Sequence, residues 1–187
     1  YVYFSQFTCR TQDPASCTDA RLFANIDQLK ASGAEKLIID LRGNGGGLLS
    51  VAESIGSEFL KDKDVITMTK SQGQLATKAV TDGPGRYYGM PLAFILNGYS
   101  ASASEVLSAG VKEHGKAIVV GSISYGKGSF QTVRPLTNDT GIKLTIAYYY
   151  TPSGKSIQAK GIRPDIPVDQ NPDGDPDDAL ITREIDT

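Results

Sequence analysis

The sequence holds no tryptophan, one histidine and two cysteines in 187 residues, and each scarcity removes a class of function. His114, Cys9 and Cys17 together fall short of the four ligands that a structural zinc site takes. The two cysteines lie in the polar stretch "CRTQDPASC", where two states stay open: a surface disulfide, which implies an oxidising compartment, or a pair of free thiols. No apolar run approaches the roughly 20 residues of a membrane span. Neither sign of charge dominates, since 19 Lys and Arg stand against 21 Asp and Glu for a formal net charge of -2. Without a long basic run, nucleic acid is not an expected partner. An initiating methionine and a signal segment are also absent, which suggests a processed chain or an excised domain.

What is present suits one globular domain, with 40% hydrophobic and 21% charged residues and enough length for a real core. Apolar runs of strand length alternate with helical patterns, the mark of a layered α/β domain. A strand in "YVYFSQF" leads to a helix from Thr18 or Asp19, in which Leu22, Phe23, Ile26 and Leu29 recur at helical spacing until Gly33 breaks it. A buried strand, Leu37 to Leu41, runs into the glycine cluster of "LRGNGGG". The helix after it carries Leu48, Ala52, Ile55 and Phe59 on one stripe. "VITMTK" and "TKAVT" read as short strands separated by polar "SQGQLA", and "PLAFILN" as a buried strand. A loop and helix follow in "SASASEVLSAGVKEHG", then strands in "KAIVVG", "SFQTVRPL" and "IKLTIAYYYT". Residues 152–168 are rich in turn formers, and the acidic, proline-interrupted residues 169–187 read as a loose tail.

The stretch "VVGSISYGKGSF" mimics a phosphate-binding loop, with Gly121, four residues, Gly126 and Lys127. Such a loop requires Ser or Thr after the lysine to ligate magnesium, and a helix whose first amides face the phosphates. Gly128 occupies the first position and a strand-like pattern the second, so nucleotide is not an expected ligand. Lys127 then has two readings. It is a solvated lysine on a turn, or a desolvated amine whose depressed pKa lets it act as a base.

A partner for such a base lies in "NGYSASASEVL". Ser102 and Glu105 form the S-x-x-E pattern of a capping box ahead of an apolar helix. A serine at a strand-to-helix turn also sits where helix-end amides favour developing negative charge. Both uses of Ser102 are open on these grounds. His114 does not serve as its base, because twelve helical steps separate the two by roughly 18 Å. A lysine is the known substitute.

Three segments carry a resemblance. "GYSASASEVLSAGVKEHGKAIVVGSISYGKGSFQ" is similar to the signature of the C-terminal processing peptidases, tail-specific serine endopeptidases with a Ser/Lys dyad. "LIIDLRGNGGGLL" resembles their Asp-Leu-Arg-x-Asn-Pro-Gly-Gly motif, and "KLTIAYYYTPSGKSIQAKGIRPDIPV" their closing strand and Pro-Asp element. The resemblance spans residues 20–168. It implies Ser102 as nucleophile, Lys127 as general base, Gln131 as the residue orienting the lysine, and an oxyanion hole of backbone amides from Ala103 and from Gly46 or Gly47, with Gly46 preferred. Residues 127 and 131 would share one face of a strand. It implies no metal and no organic cofactor. The expected fold is an αβ sandwich of the crotonase-like kind with repeated ββα units, formed by residues 1–168. Expected substrates are proteins or peptides with accessible C-termini, in an extracytoplasmic setting such as the bacterial periplasm or cell envelope; homo-oligomerisation stays open.

The pattern also departs from the family. Gly45 replaces the usual proline and Gly43 a more typical polar residue. Glu113, where some members have an aspartate near the site, reads as a solvated charge at a helix end. No segment is long enough for the family's usual PDZ domain, which is either left out of this chain or naturally missing. The competing reading is a catalytically silent relative that binds peptides or hydrophobic ligands.

Overall fold

The computed structural model describes residues 1–138 and 140–168; the tail expected over 169–187 lies outside the described residues. The chain forms a mixed α/β structure with two sheets. Strands β1 (Val2–Tyr3), β2 (Leu37–Asp40), β5 (Leu92–Leu96), β6 (Ala117–Gly121) and β9 (Ile166–Pro167) pair in parallel, in the spatial order β1-β2-β5-β6-β9. Strands β3 (Val65–Ser71), β4 (Gln74–Val80), β7 (Ser129–Pro135) and β8 (Gly141–Tyr150) form an antiparallel sheet ordered β4-β3-β8-β7. Helices α1 (Thr18–Ala31), α2 (Leu49–Ser57) and α3 (Ala103–Glu113) complete the domain.

The parallel strands β2, β5 and β6 are largely apolar and turn one face into the core, whereas Ile38 of β2 and Ile118 of β6 on the opposite face are 41% and 47% exposed. Ile39 of β2 stands opposite Phe94 of β5, and Phe94 opposite Val119 of β6, all three fully buried. Leu107 and Val111 of α3, Ile55 of α2 and Ile66 of β3 join the same core. Each such side chain contributes about 1.5–3 kcal/mol on leaving water. The core therefore fixes both ends of β5 and α3 relative to β2, and these three elements carry the site.

Four expectations change on contact with the structure. β1 is shorter than "YVYFSQF" because the Phe7 backbone turns to the glycine loop instead: its N–H donates to Gly46 O at 3.0 Å and its carbonyl accepts from Leu48 N–H at 2.7 Å. Leu48, placed on the buried stripe by periodicity, precedes α2 and is exposed, whereas Ala52, Ile55 and Phe59 are buried as expected. "SQGQLA" is mostly strand: β3 and β4 close at Gln72 and Gly73, whose φ of 49° and 79° suit the twist of a tight hairpin. The turn-rich close contributes β9, which pairs with β6.

Cys9 and Cys17 are disulfide-bonded. Closing so short a loop in the unfolded chain is worth about 2.5 kcal/mol in the chain-entropy account.

Candidate active site

Ser102 occupies the turn between β5 and α3 in a conformation that side chains avoid, with φ 57° and ψ -113°. Holding a non-glycine residue there costs about 1–3 kcal/mol. A sharp strand-to-helix turn with a serine at its apex presents the hydroxyl at the end of a sheet. The turn is held by buried polar groups on either side. Ser100 Oγ donates to Leu41 O at 2.8 Å, Ala101 N–H donates to Asn44 O at 3.0 Å, and Ser104 Oγ donates to the same Asn44 carbonyl at 2.9 Å. Ser104 is thus buried and committed to structure, while Ser102 lines a cleft. This separates two serines that alternate identically in "SASASE".

The glycine loop after β2 closes on that turn. A Cβ at Gly46 would sit 2.7 Å from Ala101 O and 2.8 Å from Ser102 Cβ, so only glycine permits this approach. Asn44, fully buried, sets the loop: its Nδ2 donates to Phe4 O at 2.8 Å and its Oδ1 accepts from Gly46 N–H at 2.9 Å. Four residues before Asn44, at the end of β2, Asp40 receives Arg42 Nη2 at 2.7 Å, Arg42 N–H at 2.9 Å and the Tyr1 hydroxyl at 2.6 Å. Burial, and then the hydrogen bond to Asp40, push the Tyr1 hydroxyl up to about 12.

Lys127 lies on the loop between β6 and β7 and lines the same cleft as Ser102, with Ser5, Gln6, Gly45, Gly46 and Gly47, in a volume of about 360 Å³. The two are brought together by one side chain. Glu105, in the first turn of α3 and fully buried, accepts at Oε2 from Ser102 N–H at 2.8 Å and from Lys127 N–H at 2.9 Å. Its Oε1 accepts from Gly126 N–H and from Ser124 Oγ, each at 2.6 Å. The capping pattern therefore had a second meaning: the glutamate that reaches back to the helix start also grips the lysine loop. Sequence reasoning missed this because the local S-x-x-E spacing satisfies capping alone.

Gly128 supplies the reason that no hydroxyl follows the lysine. A Cβ there would run into the backbone nitrogen of Gln158, whose side-chain Oε1 accepts from Gly128 N–H at 3.0 Å. Close packing of residues 126–128 on segment 157–161 governs this position.

Three expected placements change. Lys127 precedes β7, and a register shift separates Phe130 from Gln131, so the simple alternation that put residues 127 and 131 on one face fails. The Gln131 amide donates to Thr145 Oγ1 at 3.2 Å, and Gln131 is not among the residues lining the cleft. Glu113 is not a solvated charge: it accepts from Ser153 N–H and Oγ at 2.8 and 2.9 Å and pins the turn after β8. His114 lies at the far end of α3, with Nε2 at 2.7 Å from Val65 O. Among the described residues no three His, Cys, Asp or Glu side chains converge as metal ligands.

The sequence of residues 1–168 matches the profile of peptidase family S41. A carboxy-terminal-processing protease of Bartonella bacilliformis is 36% identical over 91% of this chain and 38% of its own length. A carboxyl-terminal-processing protease of Picosynechococcus is 30% identical over 93% of this chain and 40% of its own. The solved photosystem II D1 C-terminal processing protease superposes with a TM-score of 0.80 at 28% identity, over 89% of this chain and 41% of that one. The chain thus spans about two fifths of the length of these relatives.

Proposed function

The chain belongs to peptidase family S41, and from that premise we propose that it is the catalytic domain of a serine endopeptidase cleaving near protein C-termini, with Ser102 as nucleophile and Lys127 as general base. The observation that supports this reading best is the shared grip of Glu105 on the backbone of both residues at one cleft.

In this mechanism unprotonated Lys127 Nζ takes the proton from Ser102 Oγ as that oxygen attacks the peptide carbonyl carbon. The carbonyl oxygen gains negative charge and needs donors. Ala103 N–H, first in α3, is one, since the leading amides of a helix have no partner within it. The glycine loop supplies the other. Because Gly46 N–H already donates to Asn44, we assign this role to Gly47 N–H, with Gly46 governing how closely the loop approaches Ser102. The Lys127 ammonium then protonates the leaving amine, and water attacks the acyl-enzyme with the lysine again accepting a proton. Gln131 enters as an orienting residue whose amide would exchange Thr145 for the lysine amine.

The layering is crotonase-like in this reading, supported by helices and antiparallel hairpins that alternate between the parallel strands. An extracytoplasmic location is supported by the Cys9–Cys17 disulfide, which persists in oxidising compartments. No helix among the described residues is long and apolar enough to cross a membrane.

Labelling with a fluorophosphonate tests the assignment. Ser102→Ala should abolish labelling and peptide hydrolysis, and Lys127→Arg should lower both by at least about 10³-fold, because a guanidinium stays protonated. Ser104→Ala should still be labelled. Labelling that survives Ser102→Ala, or near-normal hydrolysis by Lys127→Arg, rules out the dyad; an unlabelled but peptide-binding wild type identifies a silent relative.

A further inference from the structure

A second cleft, larger than the one at Ser102, encloses about 520 Å³ beside it. Thr18, Arg21 and Asn25, one face of α1, form one wall. The segment after β1 and Arg10 form the other. Ser5 and Gln6 line both this cleft and the one holding Ser102 and Lys127, so the two depressions share a rim and one extended peptide can occupy both.

The walls are built and cross-linked. Thr18 N–H donates to Thr8 O at 2.9 Å, and Thr18 Oγ1 donates to Gln6 O at 3.0 Å and receives Thr8 N–H at 3.1 Å. The Cys9–Cys17 disulfide joins the residues next to Arg10 and Thr18. This arrangement holds Arg10 on one wall and Arg21, one turn into α1, on the other. Arg42, Arg86 and Lys112 are each paired with a carboxylate, whereas Arg10 and Arg21 form no ion pair among the described residues. Two arginines without an ion pair among the described residues, on cross-linked walls in a chain whose net charge is negative, supply forked donors suited to a planar carboxylate.

We propose that this cleft binds a carboxylate carried by the peptide substrate, held between Arg10 and Arg21 while the chain continues past Ser5 and Gln6 to Ser102. The inference rests on the peptidase reading for its ligand. The carboxylate is either the chain terminus or an acidic side chain.

The test measures binding, so that it does not depend on turnover. The full chain carrying Ser102→Ala is titrated into three fluorescent peptides of one neutral sequence: the amide, the free acid, and the amide with one internal Gln replaced by Glu. At least one carboxylate peptide should bind about tenfold more tightly than the neutral amide, and which one does so identifies the source. Adding Arg10→Gln and Arg21→Gln should remove that preference, while Lys36→Gln, an exposed charge outside the cleft, should keep it. Equal affinity for the three peptides, a preference that survives loss of both arginines, or no binding overturns the cleft assignment. Failure of the wild type to react with a fluorophosphonate would instead overturn the peptidase reading and leave a carboxylate preference standing.

Discussion

Two loops rich in glycine meet at the first turn of α3, and they are fastened by different means. In the loop of residues 43–47 a neutral amide does the work, with Asn44 reaching Phe4 on one side and Gly46 on the other. In the loop of residues 122–128 a carboxylate does it, and that carboxylate belongs to the helix that begins at Ser102. Charge-assisted hydrogen bonds are roughly twice as strong as neutral ones. The lysine loop is thus tied to the serine's helix through a carboxylate, and the glycine loop through neutral groups only, including the Asn44 carbonyl that accepts from Ala101 N–H and Ser104 Oγ on either side of the serine. In the proposed mechanism a base must keep its distance to one nucleophile, whereas an oxyanion donor has to meet a charge that appears only during reaction, so the two fastenings would suit the two tasks.

Removing Glu105 should produce the largest effect. Glu105→Ala leaves four donors in a buried space without their acceptor, and a loss of about 3–5 kcal/mol is expected in urea denaturation. Glu105→Gln keeps the volume but sets an N–H against donors, so about 2 kcal/mol should be lost, with fluorophosphonate labelling falling strongly in both. Near-native stability of Glu105→Ala would remove the distinction between the loops.

Asn44→Ala should cost less, about 2 kcal/mol, and its effect should be local. Amide exchange is the sharper measurement. The amides of Gly46 and Phe7, which depend on Asn44 directly or through Gly46, should exchange faster, while Gly126 and Lys127 keep the protection that Glu105 gives them. Equal deprotection of both sets would show that the loops open as one unit.

Much of this arrangement was legible in the residues. Helical spacing located α1 and α3, and short apolar runs bounded by turn residues located β2, β5 and β6. The family motifs named Ser102 and Lys127, which share one cleft. What escaped was long-range. Glu105 satisfies a local rule, so its grip on residues twenty positions away left no separate trace. Gly46 and Gly47 look alike in "GNGGG", yet one amide is taken by Asn44 and only tertiary structure distinguishes them. The bulge before Gln131 likewise broke an argument that assumed unbroken alternation.

The smallest expected effect concerns what backs the lysine loop from outside. Ser124 Oγ receives Ile162 N–H at 2.6 Å, and the segment that bears Ile162 is anchored at Asp165, whose carboxylate accepts from Val119 N–H at 2.8 Å and pairs with Lys112 Nζ at 2.9 Å. Partial burial raises the carboxyl's pKa, but the Val119 and Lys112 contacts outweigh it and hold Asp165 below the ordinary carboxylate range. A carboxyl whose folded value is depressed stabilises the fold above its unfolded value, about 3.9, and loses that contribution as pH falls through the lower folded value. Asp165→Asn, which cannot ionise, should therefore lower Tm at neutral pH by a few degrees, and the gap to the wild type should close as both are acidified below that range. Asp165 is 40% exposed, which screens the pair and keeps the effect modest. A gap that is constant with pH, or wider in acid, would show that the anchor is not electrostatic and that the outer side of the lysine loop is backed by the packing of residues 157–161 on Gly126 and Gly128.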